Sequence, residues 1–221
     1  QVLVCDKNED AKGIESRGGV FASLKEACRQ QAIVLAVPIS AMREVLEEIR
    51  DLLQPGTLMI DVCSVKALPV KWMKELLPDE VQILGTHPMF GPDSAADSLK
   101  GSKIVLCRER IASNANEKIK AYLESKELIV IETTADDHDR EIAVSLALTH
   151  TIGRALAEFG AKPQKIDTEG YKRLLHILEV VENDTWQLFE DMNRYNPYAA
   201  GRRNDFVQAL GEIGSRLNHF S

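Results

Sequence analysis

One histidine of this sequence is well placed for acid–base chemistry. His87 lies in GTHPMFGPDSA (85–95), where Pro88 follows it directly and a glycine- and proline-rich loop comes next. An imidazole, whose ordinary pKa is near neutrality, can accept a hydroxyl proton while a hydride leaves the same carbon, as alcohol oxidation requires. A structural histidine packed under the loop explains this segment alone equally well. His87 is therefore a candidate catalytic base.

A second polar segment, DVCSVK (61–66), contributes a serine and a lysine. The hydroxyl of Ser64 can donate and accept hydrogen bonds, so it can orient a nicotinamide amide and a catalytic base together. Lys66, in the same segment, is a candidate substrate-binding cation. An ordinary helix cap is the alternative interpretation of Ser64.

Two further segments predict contacts with a dinucleotide cofactor. The opening QVLVCD ends in Asp6, and in a dinucleotide-binding βαβ unit an acid at the end of the second strand holds the adenosine ribose. A carboxylate there favours NAD, whereas Lys7 beside it can accept the 2′-phosphate of NADP, so both cofactors stay open. The loop VPISA (37–41) places the backbone of Val37 and Pro38 at the cofactor edge. The alternative for Asp6 is an acid that merely ends a strand.

The phosphate-binding turn of such a unit is expected outside this sequence. The pattern GxGxxG should lie roughly 20 residues upstream of the ribose-binding acid. Because the sequence begins at Gln1, we expect the N-terminal glycine-rich βα unit to be lacking. A chain without the helix N-terminus that holds the pyrophosphate is expected to bind the cofactor weakly.

The elements that must position these residues are short apolar runs separated by helical segments. Near-continuous Val/Ile/Leu runs of this kind predict an α/β fold with a doubly wound, mostly parallel, Rossmann-like sheet. We place a linker over 15–21, a short helix over 23–30, and a helix over 41–53 that Ser40 caps and Pro55–Gly56 ends. The predicted strands are 1–6, 32–38, 57–63, 82–88, 103–107 and 127–134. The carboxyl ends of these strands bring Asp6, Ser64 and His87 to one edge, where ligands of such sheets bind.

The pattern changes to long helical stretches from Ala135 onwards. We therefore predict a dinucleotide-binding domain over 1–134 and an all-α substrate and dimerisation domain over 135–221. The predicted helices cover 136–160, 169–196 and 205–220, and Asp136, Asp137 and Asp139 suit the first turn of the first of them. These helices carry apolar residues on more than one face. We therefore predict that the first domain or another subunit covers the apolar surface that the helices do not bury among themselves.

Composition and charge narrow the partners. The 221 residues, 44% of them hydrophobic, are enough for a proper core, and the net charge of -7 argues against nucleic acid. An apolar window of membrane-spanning length is missing, so the expected partner is a small molecule. The four cysteines lie far apart without metal-ligand spacing, which predicts reduced thiols and no metal. The first residues do not resemble a targeting segment, so a cytoplasmic protein is expected, or a plastid one if a plant-type precursor lost its leader.

DVCSVK, GTHPMFGPDS and LTHTIGRAL, in this order and at these spacings, resemble the prephenate and arogenate dehydrogenase family, particularly its plant-like branch. The resemblance implies an oxidative decarboxylation that passes a hydride to NAD or NADP. It implies that His87 takes the C4 hydroxyl proton and that Ser64 bridges this histidine to the cofactor. His150 matches a substrate-side histidine on the first helix of the helical domain.

The resemblance also bears on the substrate. Arogenate carries an ammonium where prephenate carries a keto group, and Asp97 matches the acidic residue that marks arogenate enzymes in plant-like members. We therefore expect arogenate and the product tyrosine, with a solvated loop aspartate as the alternative. The segment GYKRLLHILE (170–179) has His176 near the place of the arginine that binds the ring carboxylate in bacterial members. Candidate replacements are Arg154, Lys172, Arg173 and Arg194.

Family members associate through the helical region, so the resemblance implies a homodimer. Two other functions stay open. One is a prephenate dehydrogenase that forms 4-hydroxyphenylpyruvate. The other is a non-catalytic, dimerising Rossmann-like module, which would keep the dimer and show no hydride transfer.

Overall fold

The computed structural model describes residues 1–7, 11–91 and 98–218. The chain forms two compact units. The first comprises Gln1–Val37, Ala41–Ser64 and Pro69–Thr134. The second comprises Pro38–Ser40, Val65–Leu68 and Ala135–Ser221, so two short segments that follow strands of the first unit belong with the helices.

The strands of the first unit form two sheets. In the smaller one β1 (Leu3–Val4) and β2 (Val20–Phe21) pair in parallel. The larger sheet has five strands, which lie side by side in the same order as in the sequence. They are β3 (Ala32–Leu35), β4 (Leu58–Asp61), β5 (Gln82–Pro88), β6 (Lys103–Arg110) and β7 (Ile129–Glu132). All neighbours are parallel except β5 and β6, which are antiparallel. The predicted mostly parallel α/β sheet is confirmed.

The helices connect these strands. They are α1 (Ala11–Ser16), α2 (Leu24–Ala27), α3 (Ile39–Ile49) with a 3₁₀ turn at Arg50–Leu52, α4 (Ala67–Leu76) and α5 (Ser113–Ser125). The short helix predicted over 23–30 is confirmed by α2, whereas the predicted linker over 15–21 is wrong because the end of α1 and the strand β2 lie there. A two-residue strand is too short to show an alternating pattern. The residue before β2 is Gly19. A larger residue would be crowded there, because a Cβ on Gly19 would lie 2.9 Å from Ile14 Cγ2.

The core of the larger sheet is apolar and tightly packed. Leu84 of β5 and Leu106 of β6 are fully buried. Gly85 follows Leu84 on β5 and pairs with Cys107 of β6, and a Cβ at Gly85 would be 2.9 Å from Val70 Cγ2 of α4. Glycine therefore lets the helix pack directly on the strand. Each large apolar side chain buried in such a core contributes about 1.5–3 kcal/mol.

The second unit is helical. α6 (Ala135–Ile142) continues through a π-helical segment (Ala143–Leu148) into α7 (Thr149–Phe159), followed by α8 (Glu169–Glu182), α9 (Trp186–Arg194) and α10 (Ala199–Asn218). No strand occurs among the described residues after 134. Within the described chain, every helix is too short or too polar to cross a membrane.

The prediction of one helix over 169–196 is wrong. The helix is interrupted at 183–185, where Asn183 is the C-cap of α8 and Thr185 is the N-cap of α9. The Thr185 hydroxyl accepts a hydrogen bond from the amide of Leu188 at 3.1 Å. Residues with short polar side chains favour helix ends because they satisfy free backbone groups. This break places Asp184 outside both helices.

Candidate functional site

The first part of the candidate site is the edge of the larger sheet where β3, β4 and β5 end. Because these strands are parallel, their carboxyl ends meet at one edge. Val37 follows β3 and Ser64 follows β4, whereas His87 lies inside β5, opposite Val105 of β6. The structure therefore brings Val37, Ser64 and His87 to the same edge of the first unit. The prediction that Asp6 lies at this sheet edge is wrong, because Asp6 follows β1 of the smaller sheet. His87 is buried, with 6% of its surface exposed.

The Ser64 hydroxyl is buried and has no hydrogen-bond partner among the described residues. Leaving a buried hydroxyl unsatisfied costs about 1–3 kcal/mol, so this oxygen has its full capacity available for an external polar group. The bridge from Ser64 to His87 that the resemblance implies is not formed here. The strand end before Ser64 is fixed by Asp61, whose carboxylate accepts from the Cys63 amide at 3.0 Å and whose carbonyl accepts from Thr86 Oγ1 at 2.6 Å.

A cavity of about 300 Å³ lies beside the smaller sheet. Asp6 lines it together with Arg17, which follows α1, and apolar residues of β1 and α1. Lys7 is not part of this lining, and its Nζ lies 3.6 Å from a carboxylate oxygen of Glu48. Arg17 was missed in the sequence because α1 and β2 were not recognised. It is therefore Arg17, rather than Lys7, that shares a cavity with the predicted ribose-binding acid.

The second unit holds a buried carboxylate on α6. Asp139 accepts hydrogen bonds from the backbone amides of Lys66, at 2.7 Å, and Ala67, at 2.8 Å. Nδ1 of His138 lies 2.8 Å from the same carboxylate. The side-chain amide of Asn196 donates to the backbone carbonyl of Asp139 at 2.8 Å. The sequence prediction that Asp139 belongs to the first helical turn is wrong. Asp136 and Asp137 occupy that turn, whereas Asp139 is fully buried and holds the start of α4.

A second buried carboxylate, on α9, holds the start of α3. Asp191 Oδ2 accepts from both the amide and the hydroxyl of Ser40 at 3.0 Å. Gln187 Nε2 donates to Asp191 Oδ1 at 2.7 Å. The prediction that Ser40 caps α3 is wrong because the helix already begins at Ile39. Pro38, the predicted cofactor contact just before it, is exposed and belongs to this unit.

Lys66 itself is fully buried. A buried lysine side chain is held by other protein groups, which favours a structural role. A contact between Lys66 and a substrate stays a prediction.

His150 of α7 is buried, with 3% of its surface exposed, and its Nε2 lies 3.6 Å from Asp184 Oδ2. Its Nδ1 has no hydrogen-bond partner in the part of the chain that the structure describes. The pKa of His150 is lowered, mainly by burial. The charge of Arg154 lowers this pKa further, and the nearby Asp184 opposes the decrease. The imidazole is therefore neutral at physiological pH.

One turn after His150, Arg154 contacts the break between α8 and α9. Its guanidinium donates to the Asp184 carbonyl and stacks over the rings of Trp186, at 5.4 Å, and Phe189, at 5.9 Å. Gly153 makes this approach possible because a Cβ there would lie 2.5 Å from Val181 Cγ2 of α8. The glycine of LTHTIGRAL thus positions both His150 and Arg154.

The other predicted substrate contacts are less informative. Asp97 lies outside the described residues. Lys172 forms an ion pair with Glu169 at 2.7 Å, and the Arg194 guanidinium lies 5.7 Å from the ring centre of Tyr195. His176 is exposed and lies 3.5 Å from Glu179. Arg154 is the candidate cation that lies beside His150.

The sequence of this chain is similar to known protein families and to individual proteins. The family model described as "Prephenate dehydrogenase, nucleotide-binding domain" matches residues 2–132, and the one described as "TYRAAT1-like, C-terminal domain" matches residues 155–220. Arogenate dehydrogenase 2, chloroplastic, of Arabidopsis thaliana is 34% identical over 220 residues, which cover 96% of this chain and 61% of the relative. Arogenate dehydrogenase 1, chloroplastic, of the same plant is 31% identical over 193 residues, which cover 85% of this chain and 30% of the relative.

A solved structure shares the fold. Prephenate dehydrogenase from Aquifex aeolicus superimposes with a TM-score of 0.78 at 17% identity, over 99% of this chain and 83% of that one. At that identity the likeness concerns the fold alone. The chain spans 61% and 30% of the lengths of the two Arabidopsis relatives, so it corresponds to a part of each.

Proposed function

This chain belongs to the prephenate dehydrogenase family, and we propose that the protein catalyses the NAD(P)-dependent oxidative decarboxylation of arogenate to tyrosine. The observation that carries the proposal is the buried, unpartnered hydroxyl of Ser64 at the sheet edge that also holds His87. A catalytic base and a polar group free for a ligand are what this chemistry needs at one edge.

The proposed reaction balances with one base. The hydride from ring carbon C4 would pass to NAD(P) when that cofactor is bound. His87 takes the proton of the C4 hydroxyl as that oxygen becomes a carbonyl. The carboxylate on C1 leaves as carbon dioxide, and its bonding electron pair completes the aromatic ring as the C4 carbonyl becomes a phenolate. The phenolate oxygen then takes the proton back from His87, which gives the phenol of the product and the free base. Because aromatisation supplies the driving force, the main task of the protein is to position base, ring and cofactor.

The residues that would hold the cofactor fit a dinucleotide. Ser64 offers a hydrogen-bonding group near the base, and Asp6 and Arg17 line one cavity near the end of β1. A carboxylate binds the free 2′-hydroxyl of NAD, and an arginine accommodates the 2′-phosphate of NADP. We propose that Asp6 and Arg17 favour NAD and NADP respectively, with Val37 and Pro38 as further backbone contacts.

Arogenate is the proposed substrate for two reasons. The two Arabidopsis relatives are named arogenate dehydrogenases, and Asp97 matches the acid expected to pair with an ammonium. His150 is proposed on the substrate side. The alternative is prephenate oxidation to 4-hydroxyphenylpyruvate. The cytoplasmic location expected from the sequence stays a prediction, beside the plastid named for the Arabidopsis relatives.

We also propose a homodimer formed through α10. Val207, Leu210, Ile213 and Leu217 recur at helical spacing along this helix, and each is between 53% and 66% exposed. A continuous apolar stripe of this kind marks an association surface, and a second copy of the same stripe is its natural complement. Replacing Leu210 and Ile213 by Glu should convert the dimer to monomer in sedimentation analysis. A wild-type protein that sediments as a monomer would contradict this part of the proposal.

The test of the proposed function is a substrate and cofactor matrix. The full-length protein containing this chain is assayed for cofactor reduction with arogenate or prephenate and with NAD or NADP. We expect the larger kcat/KM with arogenate, and Asp97→Asn should lower it by about 10- to 100-fold relative to prephenate. Asp205→Asn, an exposed aspartate of α10, removes the same charge and should leave the ratio unchanged. No reduction with any pair would reject the enzyme and favour the non-catalytic module.

A further inference from the structure

We propose that Asp184 binds the side-chain ammonium of the substrate and is thereby a specificity-determining residue of the helical unit. The inference rests on the proposed function. It adds a second anion, at a position that the sequence had assigned to the middle of a helix.

The carboxylate of Asp184 is accessible and has unused capacity. Its side chain is 36% exposed, and Nε2 of His150 lies 3.6 Å from Oδ2. That distance exceeds a normal hydrogen bond. No lysine or arginine of the described ranges pairs with this carboxylate within 4.0 Å. Both oxygens can therefore accept hydrogen bonds from a ligand.

The backbone around Asp184 is fixed although the residue lies between two helices. Arg154 donates to its carbonyl and stacks on Trp186 and Phe189. The Asp184 amide donates to the Val181 carbonyl at 3.3 Å, and Val181 packs against Gly153. A carboxylate held in this way loses little conformational freedom when it binds a cation, which favours recognition over simple solvation.

The neighbouring histidine leaves the negative charge of Asp184 intact. The net pKa of His150 is lowered, mainly by burial, so the imidazole carries no compensating charge at neutral pH. Arg154 is turned toward the Asp184 carbonyl and the aromatic rings, and does not form an ion pair with the carboxylate. The carboxylate therefore keeps its attraction for an external cation.

This arrangement discriminates between the two substrate side chains. An ammonium offers donors and a positive charge, and its charge-assisted bond to a carboxylate is about twice as strong as a neutral one. A keto oxygen offers only acceptors and would face the carboxylate with like polarity. Asp184 thus favours an amino-acid side chain over the corresponding keto acid.

The experiment measures binding without turnover. The dissociation constants of L-tyrosine and of 4-hydroxyphenylpyruvate are measured by calorimetry on the full-length protein, with saturating NAD(P). Asp184→Asn should weaken L-tyrosine by about 10- to 100-fold and leave 4-hydroxyphenylpyruvate unchanged or tighter. Asp184→Glu, which keeps the charge, should recover part of the loss. Asp205→Asn is the matched control on the same unit and should change neither constant.

Four results would overturn the inference. Equal weakening of both compounds would assign Asp184 a structural role, and unchanged constants would leave ammonium recognition to Asp97 alone. If Asp184→Asn failed to fold, a folded Asp184→Ser variant with an unaltered affinity ratio would reject the inference. A wild-type protein that binds neither compound and oxidises neither substrate would reject the proposed function itself, and the inference with it.

Discussion

The sheet edge of the first unit and the buried polar groups around Asp139 in the second unit are held in place in different ways. At the sheet edge, Ser64 and His87 come together because β4 and β5 are parallel neighbours. In the helical unit, position depends on side chains that reach distant backbone, as Asp139 does toward Lys66 and Ala67. We therefore expect side-chain changes at the sheet edge to leave the position of the strands unaltered, and a single substitution of Asp139 to disturb the backbone that it holds.

The largest effect is expected at the sheet edge and concerns chemistry alone. His87→Asn removes the proposed base, and general-base catalysis commonly contributes about 10²- to 10⁴-fold to the rate. We expect kcat to fall by that factor while the NAD(P) dissociation constant changes little. Initial rates with arogenate and calorimetry with the cofactor check the two halves. Equal turnover in wild type and variant would remove His87 from the mechanism.

In the helical unit we expect a substitution of Asp139 to lower the stability of the protein. Asp139→Ala leaves one buried and one partly buried backbone amide without their acceptor and removes the carboxylate beside His138, so the free energy of unfolding should fall by about 2–5 kcal/mol. Chemical denaturation measures the change. Asp137→Ala, in the same helix and exposed, is the control and should cost less than about 1 kcal/mol. Similar losses in both variants would refute the proposed anchoring role.

Close packing in the same unit gives a smaller effect. Gly153→Ala would place a methyl group 2.5 Å from Val181 Cγ2, and overpacking of this kind costs about 1–3 kcal/mol. Gly201→Ala, near the start of α10 and away from its apolar stripe, meets nothing within 4 Å and should stabilise the protein by about 0.5–1 kcal/mol because alanine favours helix. Thermal unfolding of the pair should shift in opposite directions. A stabilised Gly153→Ala would show that α7 and α8 have room between them.

Cofactor choice offers a modest effect at the first unit. Asp6→Asn should shift the ratio of kcat/KM for NADP over NAD upward by about tenfold, and Arg17→Ala should shift it downward by a similar factor. The opposite signs follow from the shared cavity that the two side chains line. Shifts of the same sign would indicate that one of them acts by disturbing the cavity.

The smallest effect is a pH dependence on the surface of the helical unit. Hydrogen bonds from Tyr198 and from Arg140 lower the pKa of Asp136. A carboxyl group with a lowered folded pKa stabilises the protein above its unfolded pKa, and that stabilisation disappears as pH falls through the folded pKa. Wild type should therefore melt slightly above Asp136→Asn at pH 7, and the gap should close in acid. A gap that widens in acid would contradict the assignment.

The sequence and the structure agree best where topology alone determines position. Ser64 and His87 could be placed together because buried strands of parallel type end at one edge. Asp139 and Asp191 could not be recognised as anchors, since their partners lie in loops far away in sequence and helical periodicity shows only which face is buried. The break at 183–185 was missed because it contains neither glycine nor proline. Arg17 was missed because β2 has only two residues.

We propose that this chain belongs to an enzyme that oxidises and decarboxylates arogenate. This proposal is tested by following tyrosine, carbon dioxide and reduced cofactor together after arogenate is added to the full-length protein. We expect the three products to form in equal amounts with at least one of NAD and NADP. Reduced cofactor without carbon dioxide, or no product with either cofactor, would contradict it.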